Sequence, residues 1–274
     1  METINLTNDL PFSQIGTFSL VPHLGEEFSV SFDEVKRVET PEGSETYTPL
    51  PHAKAFTMVK EALSDVGMHV MGEFHALARS GQRYMALMPV MPQKPWGLLS
   101  DYFPVVGVRN SHDKQFAFEL LVGSGIYGME NLYFSDAEAV GMRRHINLTD
   151  ERLYDSISDA VFSLPVDFES QERRFEFYRD TEIPNRKTLH HLIFEIYEEG
   201  IIPPTFMPKV KDAWMNPPHK TMNKYGDSVW KLLNAVLFAR REKYVFFQPN
   251  RNEELSEMLD AFAGYKPDLF VPTS

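Results

Sequence analysis

Apolar residues recur along this chain with two spacings, and the places where the spacing changes mark its elements. Between Pro104 and Phe134 they come in short runs, Val105–Val108, Phe116–Val122 and Ile126–Phe134. Runs of that length bounded by turn residues predict strands. The polar knot Asn110-Ser111-His112-Asp113-Lys114 has the chemistry of a connection between paired strands. Gly123-Ser124-Gly125 predicts a break before the third run. Upstream, His69–Ala78 and Arg83–Met91 predict two more strands, joined by a turn at Arg79-Ser80-Gly81-Gln82, and the Pro92–Trp96 stretch ends the second.

Helical spacing frames this strand-rich centre. Ala55, Met58, Val59, Ala62 and Val66 recur every three or four residues, and Gly67 follows as a stop. Thr149 ahead of Asp150 and Glu151 predicts an N-cap with an acidic first turn. Leu153, Ile157, Ala160, Val161 and Leu164 carry that helix to Pro165, where an interruption is expected, and a second helix resumes over Phe168–Arg179. Further helices are predicted at Thr188–Glu199, Met207–Met215, Tyr225–Lys243 and Glu253–Phe262. Phe28–Phe32 alternates with period two and predicts a short strand, in a region expected to drape over the core. The pattern is α+β by segregation: a helix, an antiparallel meander of four or five strands, a long helix, then a helical C-terminal region. Residues 1–46 read as an acidic N-terminal arm, 47–183 as the α+β core, and 184–274 as the helical region.

Composition narrows the function classes. With 43% hydrophobic and 24% charged residues the chain reads as a globular protein with a substantial core. No apolar run reaches membrane-spanning length, and the first residues lack the pattern of a signal peptide, so a cytoplasmic location without membrane partners is expected. The absence of cysteine excludes disulfides, a thiolate nucleophile and a zinc–cysteine site. Neither a phosphate-cradling glycine loop nor a serine elbow occurs, so no cofactor and no catalytic residue is expected. The net charge of −12 is unevenly spread: residues 1–50 hold nine acids against two bases, and residues 201–274 hold ten bases against eight acids. Solvated surface is the ordinary meaning of such a pattern. The sharper meaning is an acidic arm beside a half able to meet phosphates.

Three groups are candidates for chemistry. His69, Glu73 and His75 share one face of a predicted strand and form a conceivable metal set, although half-buried sheet positions explain them as well. His112-Asp113 resembles a metal-binding pair but lies in a predicted turn, where Asn, Ser and Asp side chains commonly close the backbone. Arg143-Arg144 and Arg240-Arg241, with Lys243, Tyr244 and Phe247, mix cations with rings, as single-stranded nucleic acid requires. Cations ending a helix and core aromatics are the plainer reading of the same residues.

Four stretches carry a family resemblance: Tyr47-Thr-Pro-Leu-Pro51, the Asn110-Ser111-His112-Asp113 element, the Ile126–Leu132 run with Asn131, and Tyr225-Gly226 through Trp230 to Asn234. In these the chain resembles the phage- and plasmid-borne proteins grouped as domain of unknown function 932. It departs at Lys114, where the family pattern has glycine, and lacks a cysteine usual before the asparagine. The resemblance implies a mobile-element protein and assigns no role to these residues. The order helix, meander, long helix is also similar to the core of single-strand annealing proteins, which assemble as homo-oligomers.

The leading expectation is therefore a non-enzymatic DNA-metabolism protein that binds or anneals single-stranded DNA, with Arg143, Arg144, Arg240, Arg241 and Lys243 on phosphates and Tyr244 and Phe247 on bases. One alternative is an acidic interaction protein that occupies a host DNA-binding or defence protein. Another is a metal-dependent hydrolase.

Overall fold

The computed structural model of the chain describes residues 28–44, 47–92, 102–126, 131–139, 149–240 and 248–266. Within them the architecture is α+β, with seven α-helices and an antiparallel sheet of seven strands. Strands β1 (Ser29–Val30), β2 (Met68–Val70), β3 (Phe74–Ala78), β4 (Arg83–Pro92), β5 (Tyr102–Ser111), β6 (Glu119–Ile126) and β7 (Asn131–Ala139) form the sheet. The order is β1-β3-β4-β5-β6-β7, and β2 pairs with β4 off this path. From β3 onward each strand pairs with the next in sequence, so the predicted meander is present with five strands, and β1 and β2 add to the sheet outside it.

Two expectations about strands are corrected. His69–Ala78 is not one strand: it divides into β2 and β3, both of which pair with β4. Gly123-Ser124-Gly125 is not a break either. It lies inside β6, with a register shift between Val122 and Gly123. The reason is steric. Phe103 lies opposite Gly125 on β5, and a Cβ built on Gly125 would fall 2.2 Å from the Phe103 ring. The glycine makes room for a buried ring on the facing strand. We expect Gly125→Ala to cost about 2–3 kcal/mol by overpacking. In a Phe103→Ala background the same change should cost under about 0.5 kcal/mol, because the clashing ring is gone. Urea unfolding of the four proteins checks this, and strictly additive losses would exclude the contact.

Both faces of the sheet are buried, which is why β5 is buried along its whole length and reads as a run instead of an alternation. Tyr84, Ala86, Met88, Val106, Val108, Leu120 and Val122 share one face with two helices, α2 (His52–Asp65) and α3 (Asp150–Asp180). Met85, Leu87, Phe103, Val105, Leu121, Leu132 and Phe134 form a second cluster on the other face. Ahead of α2, a one-turn helix α1 (Phe32–Lys36) starts at a capping box of Ser31 and Glu34, so the described part of the N-terminal arm joins the fold through β1 and α1.

Helix α3 is the longest helix among the described residues, at 31 residues or about 46 Å. Thr149 caps it as expected, its hydroxyl accepting from the Arg152 N–H. The expected interruption at Pro165 is absent, a second correction by packing. Proline in a helix interior costs about 3 kcal/mol. Val161, Leu164 and Phe168 are all buried against the sheet around it, and burying side chains of this kind is worth about 1.5–3 kcal/mol each. The second half of α3 enters a different core. There Phe175 and Tyr178 meet α4 (Arg186–Glu198), α5 (Met207–Met215), α6 (Val229–Arg240) and α7 (Gln248–Ala263), together with Tyr102, Ile126 and Tyr133 of the sheet. No helix among the described residues is long and apolar enough to cross a membrane.

Candidate functional site

The Asn110-Ser111-His112-Asp113 element ends β5 beside the start of α2, and its polar groups point into the fold. Asn110 Nδ2 donates to the Leu50 carbonyl and lies 2.9 Å from His52 Nδ1. His52 Nε2 is 2.9 Å from the Gly81 carbonyl, which fixes the tautomer with Nε2 as donor and Nδ1 as acceptor. His112 Nε2 lies 2.9 Å from the same Leu50 carbonyl. The two imidazoles stack with centroids 3.9 Å apart and planes 8° apart. Burial, with His112 alongside, pushes the His52 pKa down to about 3. Burial lowers that of His112 as well. Two stacked neutral rings suit this arrangement, because charging either one would strand a cation in the interior.

The rest of the element closes the turn. Ser111 Oγ donates to the Phe116 carbonyl and accepts from the Phe116 N–H. Asp113 accepts from Arg83 Nε at 2.6 Å and from the Gln115 N–H. Lys114 sits at φ +60°, in the left-handed region that glycine enters freely, and its ammonium lies 4.4 Å from the Tyr47 ring centre. The four side chains bond to backbone, to Arg83 and to His52. They tie the sheet end to the start of α2.

The His69, Glu73 and His75 set is divided between β2, its following loop and β3. Glu73 pairs with Lys60 and lies 3.7 Å from His75 Nε2, while His75 Nδ1 meets the Tyr84 hydroxyl at 2.9 Å. Among the described residues, no three His, Asp or Glu side chains come together in a way that holds a metal ion.

Asn131 and the late-helix residues meet in the second core. Asn131 Nδ2 donates to the Asn234 carbonyl and side-chain oxygen. Tyr225 and Trp230 surround the Arg179 guanidinium at 5.0 and 4.9 Å from their ring centres, with Tyr102 at 5.6 Å. Gly226 has φ +65° in the turn before α6. Next to this lies a buried polar chain that sequence reasoning missed. Arg174 pairs with Asp260 at 3.2 Å and donates to the Tyr133 hydroxyl. Tyr178 donates to Asp260 at 2.5 Å, and Tyr133 shares a hydrogen bond with Ser256. These residues come from α3, α7 and β7, so no local pattern announces them.

Of the expected phosphate and base contacts, Arg143, Arg144, Arg241, Lys243, Tyr244 and Phe247 lie outside the described residues. Arg240 is described, and it is only 8% exposed. Its guanidinium faces Asn252 Oδ1 at 3.4 Å, and burial brings its pKa down to about 10. Burial corrects the expectation that Arg240 contacts phosphate. Helix α6 is buried on nearly every side, so its last residue turns inward.

Exposed cations occur elsewhere. Lys209 and Lys211 on α5, and Lys220 and Lys224 around the following 3-10 turn, are all exposed. Rings lie beside them: Lys209 is 4.9 Å from the ring centre of Phe206, which is buried in the second core, and Lys224 is 5.1 Å from that of half-buried Tyr225. A signal for this segment exists in the sequence, because residues 201–240 hold six cations and two carboxylates in a chain of net charge −12. No family model, no curated protein and no solved structure matches the chain.

Proposed function

We propose that the chain is a non-enzymatic binding protein for single-stranded nucleic acid, of mobile-element type, that holds phosphates on the segment from Met207 to Lys224. The observation that carries this reading is the set of four exposed lysines with half-buried Tyr225 alongside, in a chain whose acids are concentrated elsewhere. Charges that track a backbone and rings that accept bases are the two requirements for such binding. The charge segregation keeps an acidic protein compatible with it, since the local field decides the encounter. The resemblance to the phage and plasmid family and the helix–meander–long-helix order point the same way.

Fluorescence anisotropy with a labelled single-stranded oligonucleotide tests the reading. Four phosphate contacts give a log–log salt slope of about −2.8, so a fourfold rise in salt should weaken binding roughly 50-fold. Replacing Lys209, Lys211, Lys220 and Lys224 together by alanine should flatten that slope and abolish binding at moderate salt. An oligonucleotide that fails to bind at low salt, or binds the quadruple variant as well as wild type, overturns the reading.

A further inference from the structure

A groove of about 580 Å³ runs between α4 and α7. Leu192, Met258 and Phe262 give it an apolar lining, and Phe262 remains 36% exposed. Its rim is acidic: Glu195 and Glu199 on one side, Glu254 and Glu257 on the other. Two of these carboxylates are placed against the helix dipole. Glu195 lies in the last turn of α4 and Glu199 is its C-cap, the end where cations are favoured. His191 lies 3.2 Å from Glu195, and Arg251 pairs with Glu254 at 3.1 Å. Glu199 and Glu257 have no ion-pair partner among the described residues.

We propose that this groove is a docking site for a basic amphipathic helix of a partner protein. A third helix laid between α4 and α7 would bury its apolar stripe on half-buried Met258 and exposed Phe262, above the buried Leu192, as helix-in-groove recognition does. Its flanking lysines or arginines would meet the two glutamate rims and relieve the unfavourable charge at the α4 C-terminus. Charge complementarity selects the occupant. An acidic or neutral helix would bring the same apolar stripe but would face carboxylates on both sides.

The probe is a fluorescein-labelled 14-residue peptide of leucine and lysine, patterned as an amphipathic helix and titrated by anisotropy without nucleic acid. Two comparison peptides carry glutamate in place of lysine, or the same composition scrambled. The lysine helix should bind at least about tenfold more tightly than either. Met258→Asp in the floor, and separately the exposed pair Glu254→Lys/Glu257→Lys on the rim, should each weaken it about tenfold or more. The rim pair alters only exposed side chains, so its effect is readable even where Met258→Asp unfolds the protein; matching circular dichroism melts establish this. The quadruple lysine variant should bind the peptide normally, which separates this site from the nucleic-acid segment. Lack of binding, equal binding of the glutamate or scrambled peptide, or indifference to the rim pair overturns the proposal. A concentration-dependent dimer in sedimentation that the rim pair abolishes assigns the groove to a second copy of the chain, which also overturns it.

Discussion

Lowering the pH from 7 to about 3 is expected to remove about 4–5 kcal/mol of stability through His52 alone. The folded protein takes up a proton on His52 only near pH 3, whereas the unfolded chain does so at the ordinary value of 6.5. Between those two values the unfolded state holds more protons, so stability falls as pH falls, by up to about 1.4 kcal/mol per pH unit. The contribution is intact above pH 6.5. His112 and His75 are also lowered by burial and add to the loss in the same direction. Most small domains have only about 5–15 kcal/mol in total. Acid unfolding should therefore set in well above the carboxylate range. The clean measurement compares urea midpoints of wild type and His52→Gln at pH 7, 5.5 and 4.5. A glutamine side chain can still donate to the Gly81 carbonyl and accept from Asn110, yet does not titrate. The variant should show a flatter pH dependence by up to one proton; identical slopes would mean that His52 charges freely in the folded state.

The second large effect is expected at the Arg174–Asp260 pair. Both side chains are mostly buried, at 14% and 11% exposure, and Tyr178 and Tyr133 complete the chain of bonds around them. Arg174→Met leaves a buried carboxylate with only the Tyr178 hydroxyl, a loss of about 3–5 kcal/mol. Removing both charges is a different operation, because no uncompensated ion remains. The double variant Arg174→Met/Asp260→Leu should recover most of the loss and lie within about 1–2 kcal/mol of wild type. Chemical denaturation of the single and double variants decides the matter. A single variant that costs under about 1 kcal/mol would show that water reaches the orphaned carboxylate.

These contrasts show what local pattern carries and what it does not. The Thr149 cap, the Gly67 stop and the meander were legible because each rests on neighbours a few residues away. So was the turn at Ser111, where the side chain bonds its own loop. Pro165 and Gly123-Ser124-Gly125 misled for the opposite reason. Their local meaning is a break, and distant partners, the sheet for one and Phe103 for the other, override it. The direction in which a cation points is likewise set by tertiary packing. Arg240 ends an apolar helix that is covered all round, whereas Lys209 and Lys211 lie on a helix with an open side. Nothing in the spacing of charges separates those two cases, although the local excess of lysine in residues 201–240 singles out the second. The Arg174–Asp260 chain joins residues 86 positions apart and has no sequence signature at all.

The last strand of the meander, β7, pairs on one side with β6 and packs against α7, which arrives 123 residues later at the Tyr133–Ser256 contact. During synthesis at about 5–20 residues per second, that gap corresponds to roughly 6–25 seconds. Through that interval the sheet can form strand by strand while the flank of β7 stays uncovered. An uncovered edge is a template for pairing with another nascent chain. The helix that walls the acidic groove is thus also the cover that closes the newborn sheet, and polysome-borne chains stalled before residue 248 would be the species most prone to coaggregate.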